Sequence, residues 1–252
     1  MIIDTHAHYD NKRFNEDRYP LIESMPAAGI QILINVGCDL DTSRASIKLA
    51  EKYPFVYATV GAHPHYVKNL DDNELEKMKK MCSHEKVVAY GEQGLDFFHN
   101  FSPKDAQLHW FKRQLELTHE LDLPAVIHSR DAHGDTAKLI EASNVRKGVV
   151  HSFSGNAELA KYYVDLGFYI GIGGVITFDK SGVLEGVVHA TPLDRLLLET
   201  DCPYLTPAPF RGKRNDSAKL IHVAEKIAEI KNIPVNEVCS TTTANAKRLF
   251  GL

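Results

Sequence analysis

Short apolar runs punctuate this chain at near-regular intervals, and polar segments with helical spacing separate them. Eight runs read as strands: residues 2–5, 30–36, 56–61, 87–91, 125–128, 148–151, 168–172 and 195–199. Several are rich in Val and Ile, and most lack strict alternation of apolar and polar positions. That pattern belongs to strands buried on both faces of a parallel sheet. Between the runs, residues 41–52 carry Ala45, Leu49 and Ala50 at helical spacing, and residues 104–121 carry Leu108, Phe111, Leu115 and His119. Residues 157–166 and 217–231 repeat the amphipathic pattern. Asp39, Asp41 and Asn156 are placed to cap helix starts, while Gly29 and Gly167 sit where helices stop.

Eight strand–helix alternations in 252 residues describe a single (β/α)8 TIM barrel, an α/β fold. A doubly wound open sheet is the rival, but no Gly-x-Gly-x-x-Gly turn follows the first run. Five of the runs end in a side chain able to bind metal: Asp4-Thr5-His6-Ala7-His8, Gly91-Glu92, Ile127-His128, Val150-His151 and Glu199-Thr200-Asp201. An open sheet would spread these ends over about 40 Å at roughly 4.8 Å per strand, whereas a closed barrel gathers them. No linker, repeat or low-complexity tract interrupts the pattern, so residues 1–252 are expected to form one domain.

Composition narrows the class. The chain is 44% hydrophobic and 25% charged, as soluble globular proteins are. A formal charge of −4 argues against a surface coated in positive charge for nucleic acid. It leaves room for a small cleft whose charge bound cations reverse. The four cysteines form no Cys-x-x-Cys pair, and no apolar stretch approaches the roughly 20 residues that span a bilayer. The first strand already includes Asp4, which leaves no room for a signal peptide, and a cytoplasmic location is expected.

His6 and His8 are two apart on a strand, so their side chains share a face. Asp4 is expected one layer deeper on that face, either orienting an imidazole or acting as a buried hydrogen-bonding acid. Glu92 is a carboxylate able to bridge two ions, with a salt bridge as the plainer alternative. His128 and His151 each end a run, and Leu197, Glu199 and Asp201 alternate onto one face, with Asp201 outermost and Glu199 in support below it. Taken singly each is an ordinary structural residue. Together, His6, His8, Glu92, His128, His151 and Asp201 make a sulfur-free N/O ligand set suited to divalent metals.

These residues, in this order, resemble the TatD family of metal-dependent deoxyribonucleases within the amidohydrolase-like barrels. Matching pieces also include Gly61-Ala62-His63-Pro64-His65, Gly91-Glu92-Gln93-Gly94-Leu95-Asp96, His128-Ser129-Arg130, His151-Ser152-Phe153-Ser154-Gly155, Glu199-Thr200-Asp201-Cys202-Pro203-Tyr204-Leu205 and Arg211-Gly212-Lys213-Arg214-Asn215. The likeness extends to Thr243-Ala244-Asn245-Ala246. It implies two divalent ions, up to three, drawn from Zn2+, Mg2+ or Mn2+, held by the six residues above. It implies DNA as substrate, cut by metal-activated water with Asp201 and Glu92 in catalytic roles, and it places His63 and Arg130 near the phosphate. The loop holding Arg211, Lys213 and Arg214 is a candidate basic rim for the nucleic-acid backbone. A mouth that fits one extruded nucleotide suggests exonuclease action on single strands or frayed ends. The same ligand set would serve ester or amide hydrolysis, and deacylation of D-aminoacyl-tRNA is the alternative. No obligate protein partner is implied. One departure stands out: the family commonly follows Arg-Gly-Lys-Arg-Asn with Glu-Pro, and here Asp216-Ser217 follow.

Overall fold

All eight apolar runs are strands in the computed structural model, which describes residues 1–252. They are β1 (Ile2–Ala7), β2 (Ile30–Asn35), β3 (Val56–Val60), β4 (Val87–Asp96), β5 (Ala125–Arg130), β6 (Gly148–Val150), β7 (Phe168–Ile172) and β8 (Leu196–Leu198). Each pairs in parallel with the next in chain order. Because β8 is short, the seam closes just beyond it. There Ala7 bridges Cys202, the His8 N–H donates to the Cys202 carbonyl at 2.9 Å, and the Asp201 N–H donates to the His6 carbonyl at 2.9 Å. The result is a TIM barrel, as the pattern predicts.

The helices are α1 (Arg18–Ser24), α2 (Leu40–Lys52), α3 (Asp72–Met81), α4 (Lys104–Glu120), α5 (His133–Ala142), α6 (Ala157–Asp165), α7 (Val183–Ala190), α8 (Leu220–Lys231) and α9 (Val235–Phe250). None is long and apolar enough to cross a membrane. Asp39 caps α2 by accepting from the Thr42 N–H at 2.8 Å, and Asn156 caps α6 by accepting from Leu159 at 2.9 Å. Asp41 is not a cap; it lies inside the first turn of α2 and pairs with Arg44. Nor does Gly29 end a helix, since α1 stops at Ser24 and Gly29 turns the chain into β2. The amphipathic stretch at 217–231 begins with a 3-10 turn over Ser217–Lys219 before α8.

Two apolar layers pack the helices onto the outside of the barrel. A third cluster fills its interior: Ile3, Ile34, Val88, Val126, Val149, Tyr169 and Leu197 meet Ala246, Leu249 and Phe250 of α9. Most of these strand residues lie near the start of their strands, so α9 seals the N-terminal end. Asn245 pins it there, its amide donating to the carbonyls of Leu193 and Leu196 at 2.9 Å each. Only the other end stays open.

Candidate metal centre

One alternation above the apolar floor, the inward side chains change character. Val126 is followed two residues on by His128, Val149 by His151, and Leu197 by Glu199 and then Asp201, all facing the barrel axis. Strand β1 departs from simple alternation. Ile3 packs in the interior, so Asp4 projects the other way, and a register irregularity between Asp4 and Ala7 returns His6 and His8 to the inside. Asp4 therefore orients no imidazole. It accepts from the Thr200 N–H at 3.0 Å and from the hydroxyls of Thr200 and Ser217 at 2.6 Å each, and burial pushes its carboxyl up to about 6. Ser217, where the family commonly has proline, thus donates a hydrogen bond that ties the rim loop to β1.

Glu92 does not end its strand, because β4 continues to Asp96. Gly91, at φ 144°, lets β4 lie close on β5 at this point: a Cβ there would meet the Val126 carbonyl oxygen at 2.5 Å. The Glu92 N–H donates to the Gly37 carbonyl at 2.9 Å, so the loop after β2 holds it as well as β4. Its carboxylate then stands at the centre of the mouth with its two oxygens turned to opposite sides. Oε2 faces His6 Nε2 at 3.3 Å and His8 Nε2 at 3.9 Å. Oε1 faces His128 Nδ1 at 2.9 Å, His151 Nε2 at 3.1 Å and His63 Nε2 at 3.4 Å. Asp201 closes the first side, its Oδ1 lying 3.3 Å from His8 Nε2 and 3.9 Å from His6 Nε2. It sits in a left-handed turn at φ 54°, a conformation that Asp tolerates better than most residues. All six predicted ligands therefore meet around one carboxylate.

The outward nitrogens decide what these rings can do. His8 Nδ1 lies 3.2 Å from the Val36 carbonyl and His128 Nε2 lies 3.3 Å from Asp96 Oδ2, while His151 Nδ1 stands 3.3 Å from Glu199 Oε1 without a hydrogen bond to it. An acceptor behind a ring fixes the hydrogen on that side and leaves a lone pair on the other nitrogen. In His8 and His128 the nitrogen facing the carboxylates of Asp201 and Glu92 is therefore the one that offers a lone pair to a cation once its proton is lost. The His6 ring lies flat on that of His151, centroids 3.7 Å apart and planes 15° off parallel, so its Nε2 points the same way. His63 is the exception. Its Nδ1 accepts from the His65 N–H at 3.1 Å, which places its hydrogen on Nε2, toward the mouth. Burial pushes His63 down to about 4, so it is a neutral donor at neutral pH.

Four imidazole nitrogens and two carboxylates converging in a largely buried space are a donor set for divalent cations. No Lys or Arg balances them, so protons on the imidazoles or bound metal ions must. Burial opposes the charge on Glu92, yet the imidazoles of His63, His151 and His6 hold its carboxyl well below the usual range. Burial likewise opposes charge on Asp201, and His8 outweighs it. Cys38 adds sulfur to the margin, 3.7 Å from Glu92 Oε2, but burial lifts its thiol to about 12 and it stays protonated.

Several participants escape the sequence pattern. Asp96 Oδ2 meets His65 Nε2 at 2.7 Å, His99 Nδ1 at 2.9 Å and His128, joining three imidazoles. Carrying the alternation of β4 past Glu92 and Gly94 to Asp96 would have put it on the site face. Helix α4 buries glutamines where apolar spacing would demand leucines. Gln114 clasps both backbone groups of Ala62, beside His63, at 2.9 and 3.0 Å, and Gln107 clasps those of Asp96 at 2.8 and 3.0 Å. Thr118 accepts from Gln93 at 2.7 Å, beside Glu92. His119, expected on the buried face, is exposed.

The mouth opens into a cavity of about 790 Å³ lined by His8, His63, Glu92, His128, His151 and Asp201 and also by Arg130. Arg211 does not line it. Its guanidinium stacks 3.7 Å from the Phe178 ring centroid and donates to the Thr206 carbonyl at 2.7 Å. Arg214 is bound to Asp17. Arg211 and Arg214 are thus engaged by protein groups, while Lys213 on the same loop is exposed.

Comparison with known proteins gives the family. A family model described as TatD related DNase matches residues 3–251. An uncharacterized metal-dependent hydrolase of Bacillus subtilis, YabD, is 42% identical, with 99% of each chain covered. A protein of Cronobacter sakazakii named 3'-5' ssDNA/RNA exonuclease TatD is 34% identical over 95% of this chain and 94% of its own. Among solved structures, the TatD homologue YjjV of Escherichia coli superposes with a TM-score of 0.94 at 33% identity, covering 100% of this chain and 98% of its own. On these grounds the chain belongs to the TatD-related family of metal-dependent hydrolases.

Proposed function

We propose that this protein is a metal-dependent nuclease that removes nucleotides from an end of single-stranded or frayed DNA. The observation that carries the reading is Glu92, whose two oxygens face two separate sets of imidazole nitrogens. In this reading His6, His8 and Asp201 would hold one divalent ion, His128 and His151 would hold a second, and Glu92 would serve both. The whole chain acts as one hydrolase domain. With four free cysteines, it suits a reducing cytoplasm.

Bound divalent ions supply acidified water and positive charge for the phosphate oxygens. The chain's own groups do the rest. Asp201, held ionised, takes a proton from the attacking water as general base. The water oxygen bonds to phosphorus, the bridging P–O bond breaks, and the leaving oxygen takes up a proton. His63 donates its Nε2 hydrogen to a phosphate oxygen, and Arg130 at the end of β5 offers two parallel donors to the same group. Asp96, beside His128 Nε2, keeps the Nδ1 of that ring turned to Glu92. The exonuclease name of the Cronobacter relative supports the substrate class and admits RNA beside DNA.

The test uses protein stripped of metal and reloaded with Mg2+, Mn2+ or Zn2+, given 3′-labelled and 5′-labelled single-stranded DNA and a D-aminoacyl-tRNA. Metal-dependent, stepwise shortening from one end, lost in Glu92→Ala, is expected. Deacylation of the tRNA with the DNA left intact would replace this reading with ester hydrolysis.

A further inference from the structure

Seven large apolar side chains are exposed on this protein, and four of them ring the mouth of the barrel. Tyr66 is 52% exposed, Phe98 58%, Phe101 56% and Tyr204 46%. They come from three separate loops: Tyr66 follows β3, Phe98 and Phe101 lie between β4 and α4, and Tyr204 follows β8. Tyr66, Phe101 and Tyr204 line the cavity itself. Single exposed aromatics are ordinary, but a group of them around one opening marks an interaction surface.

Each ring lies next to the chemistry. Phe101 stacks on His99, centroids 5.3 Å apart, and meets the edge of His65 at 4.8 Å. Tyr66 stands 6.2 Å from His63. Tyr204 is steadied by the Asn11 amide, which donates to its hydroxyl at 3.0 Å. Two of the rings also carry a cation. The guanidinium of Arg130 lies 4.2 Å from the Phe98 centroid, and that of Arg13 lies 5.9 Å from Tyr204. Flat apolar surfaces interleaved with positive charge, around a pocket built for a phosphodiester, complement a chain of bases joined by phosphates. A duplex keeps its base faces covered, so only unpaired bases could use such rings.

We propose that Tyr66, Phe98, Phe101 and Tyr204 form a base-stacking rim that holds the unpaired nucleobases flanking the scissile phosphate of a single-stranded nucleic acid. This rests on the nuclease reading above. Stacking is tolerant of sequence, because every base has a π-face, so the rim selects for strandedness and not for base identity. One base lost from an aromatic platform weakens binding by about tenfold.

The test compares KM for an oligo-dT with KM for an abasic oligonucleotide of equal length and charge, in metal-loaded wild type, Tyr66→Ala, Phe101→Ala and Phe101→Trp. Wild type is expected to prefer oligo-dT by about tenfold or more. That preference should shrink toward unity in the alanine variants and persist in Phe101→Trp. Equal KM values in wild type, with cleavage intact, would overturn the rim and leave the nuclease reading standing. An unchanged preference in both alanine variants would also overturn it. Failure of wild type to cleave either oligonucleotide would count against the nuclease reading itself.

Discussion

The two ends of the barrel share the same eight strands and have opposite characters. At the N-terminal end Ile3, Val126, Val149 and Leu197 pack against Leu249 and Phe250 of α9, an apolar plug in which the buried Asn245 amide is spent on the Leu193 and Leu196 carbonyls. Two residues further along the same strands stand His128, half-buried, and His151 and Glu199, fully buried, all polar. Nothing in the alternation changes between them; only the side chains do. One end is packing that holds the strands in register. The other tolerates buried carboxylates and clustered imidazoles because that register is already fixed. Stability and chemistry should therefore be separable by mutation.

Activity should fall furthest at the mouth. Glu92→Ala is expected to lower kcat/KM by about a thousandfold or more, as loss of metal-derived stabilisation worth several kcal/mol requires, while circular dichroism stays that of the wild type. The floor should behave in the opposite way. Phe250→Ala is expected to cost about 3 kcal/mol in stability, read by denaturant unfolding, with kcat/KM of the folded protein near wild type. Joint loss of activity and stability in either variant would break the separation.

Metal removal sharpens the contrast. Saturating wild type at about 100 times Kd should add about 2.7 kcal/mol to its stability for each ion bound, and chelation should remove it. Phe250→Ala should show the same increment, and Glu92→Ala much less of it, by calorimetry with and without chelator. Smaller again is the expected effect of Asp96→Asn, which weakens the carboxylate behind His128. Metal affinity should drop about 10- to 100-fold in a competition titration with little change in unfolding. Arg211→Ala should move KM for single-stranded DNA by about twofold or less, since the guanidinium is committed to Phe178 and Thr206.

The barrel and its six central residues were legible because both rest on period. Buried parallel strands announce themselves as apolar runs, and a polar residue closing such a run has one place to go. Asp4 misled the reading: strict alternation puts it beside His6, and only the register irregularity in β1 turns it outward to Thr200 and Ser217. Asp96 was hidden because Gly91 and Gly94 interrupt the apolar run that marks β4, although the strand passes through them. Gln107 and Gln114 were illegible for another reason. A buried glutamine that clasps a distant backbone looks, in sequence, like a solvent-facing residue. Arg211 shows the converse, an apparently free cation that the fold has already engaged.

The central claim is that Glu92 joins two metal positions into one centre. The most direct measurement is the number of Zn2+ equivalents retained per chain after chelation, reloading and exhaustive dialysis, by mass spectrometry of metal content, in wild type and Glu92→Ala. Two equivalents in wild type and at most one in Glu92→Ala, with activity lost, is the result expected. Two equivalents in both proteins would show that Glu92 bridges nothing and would contradict the account.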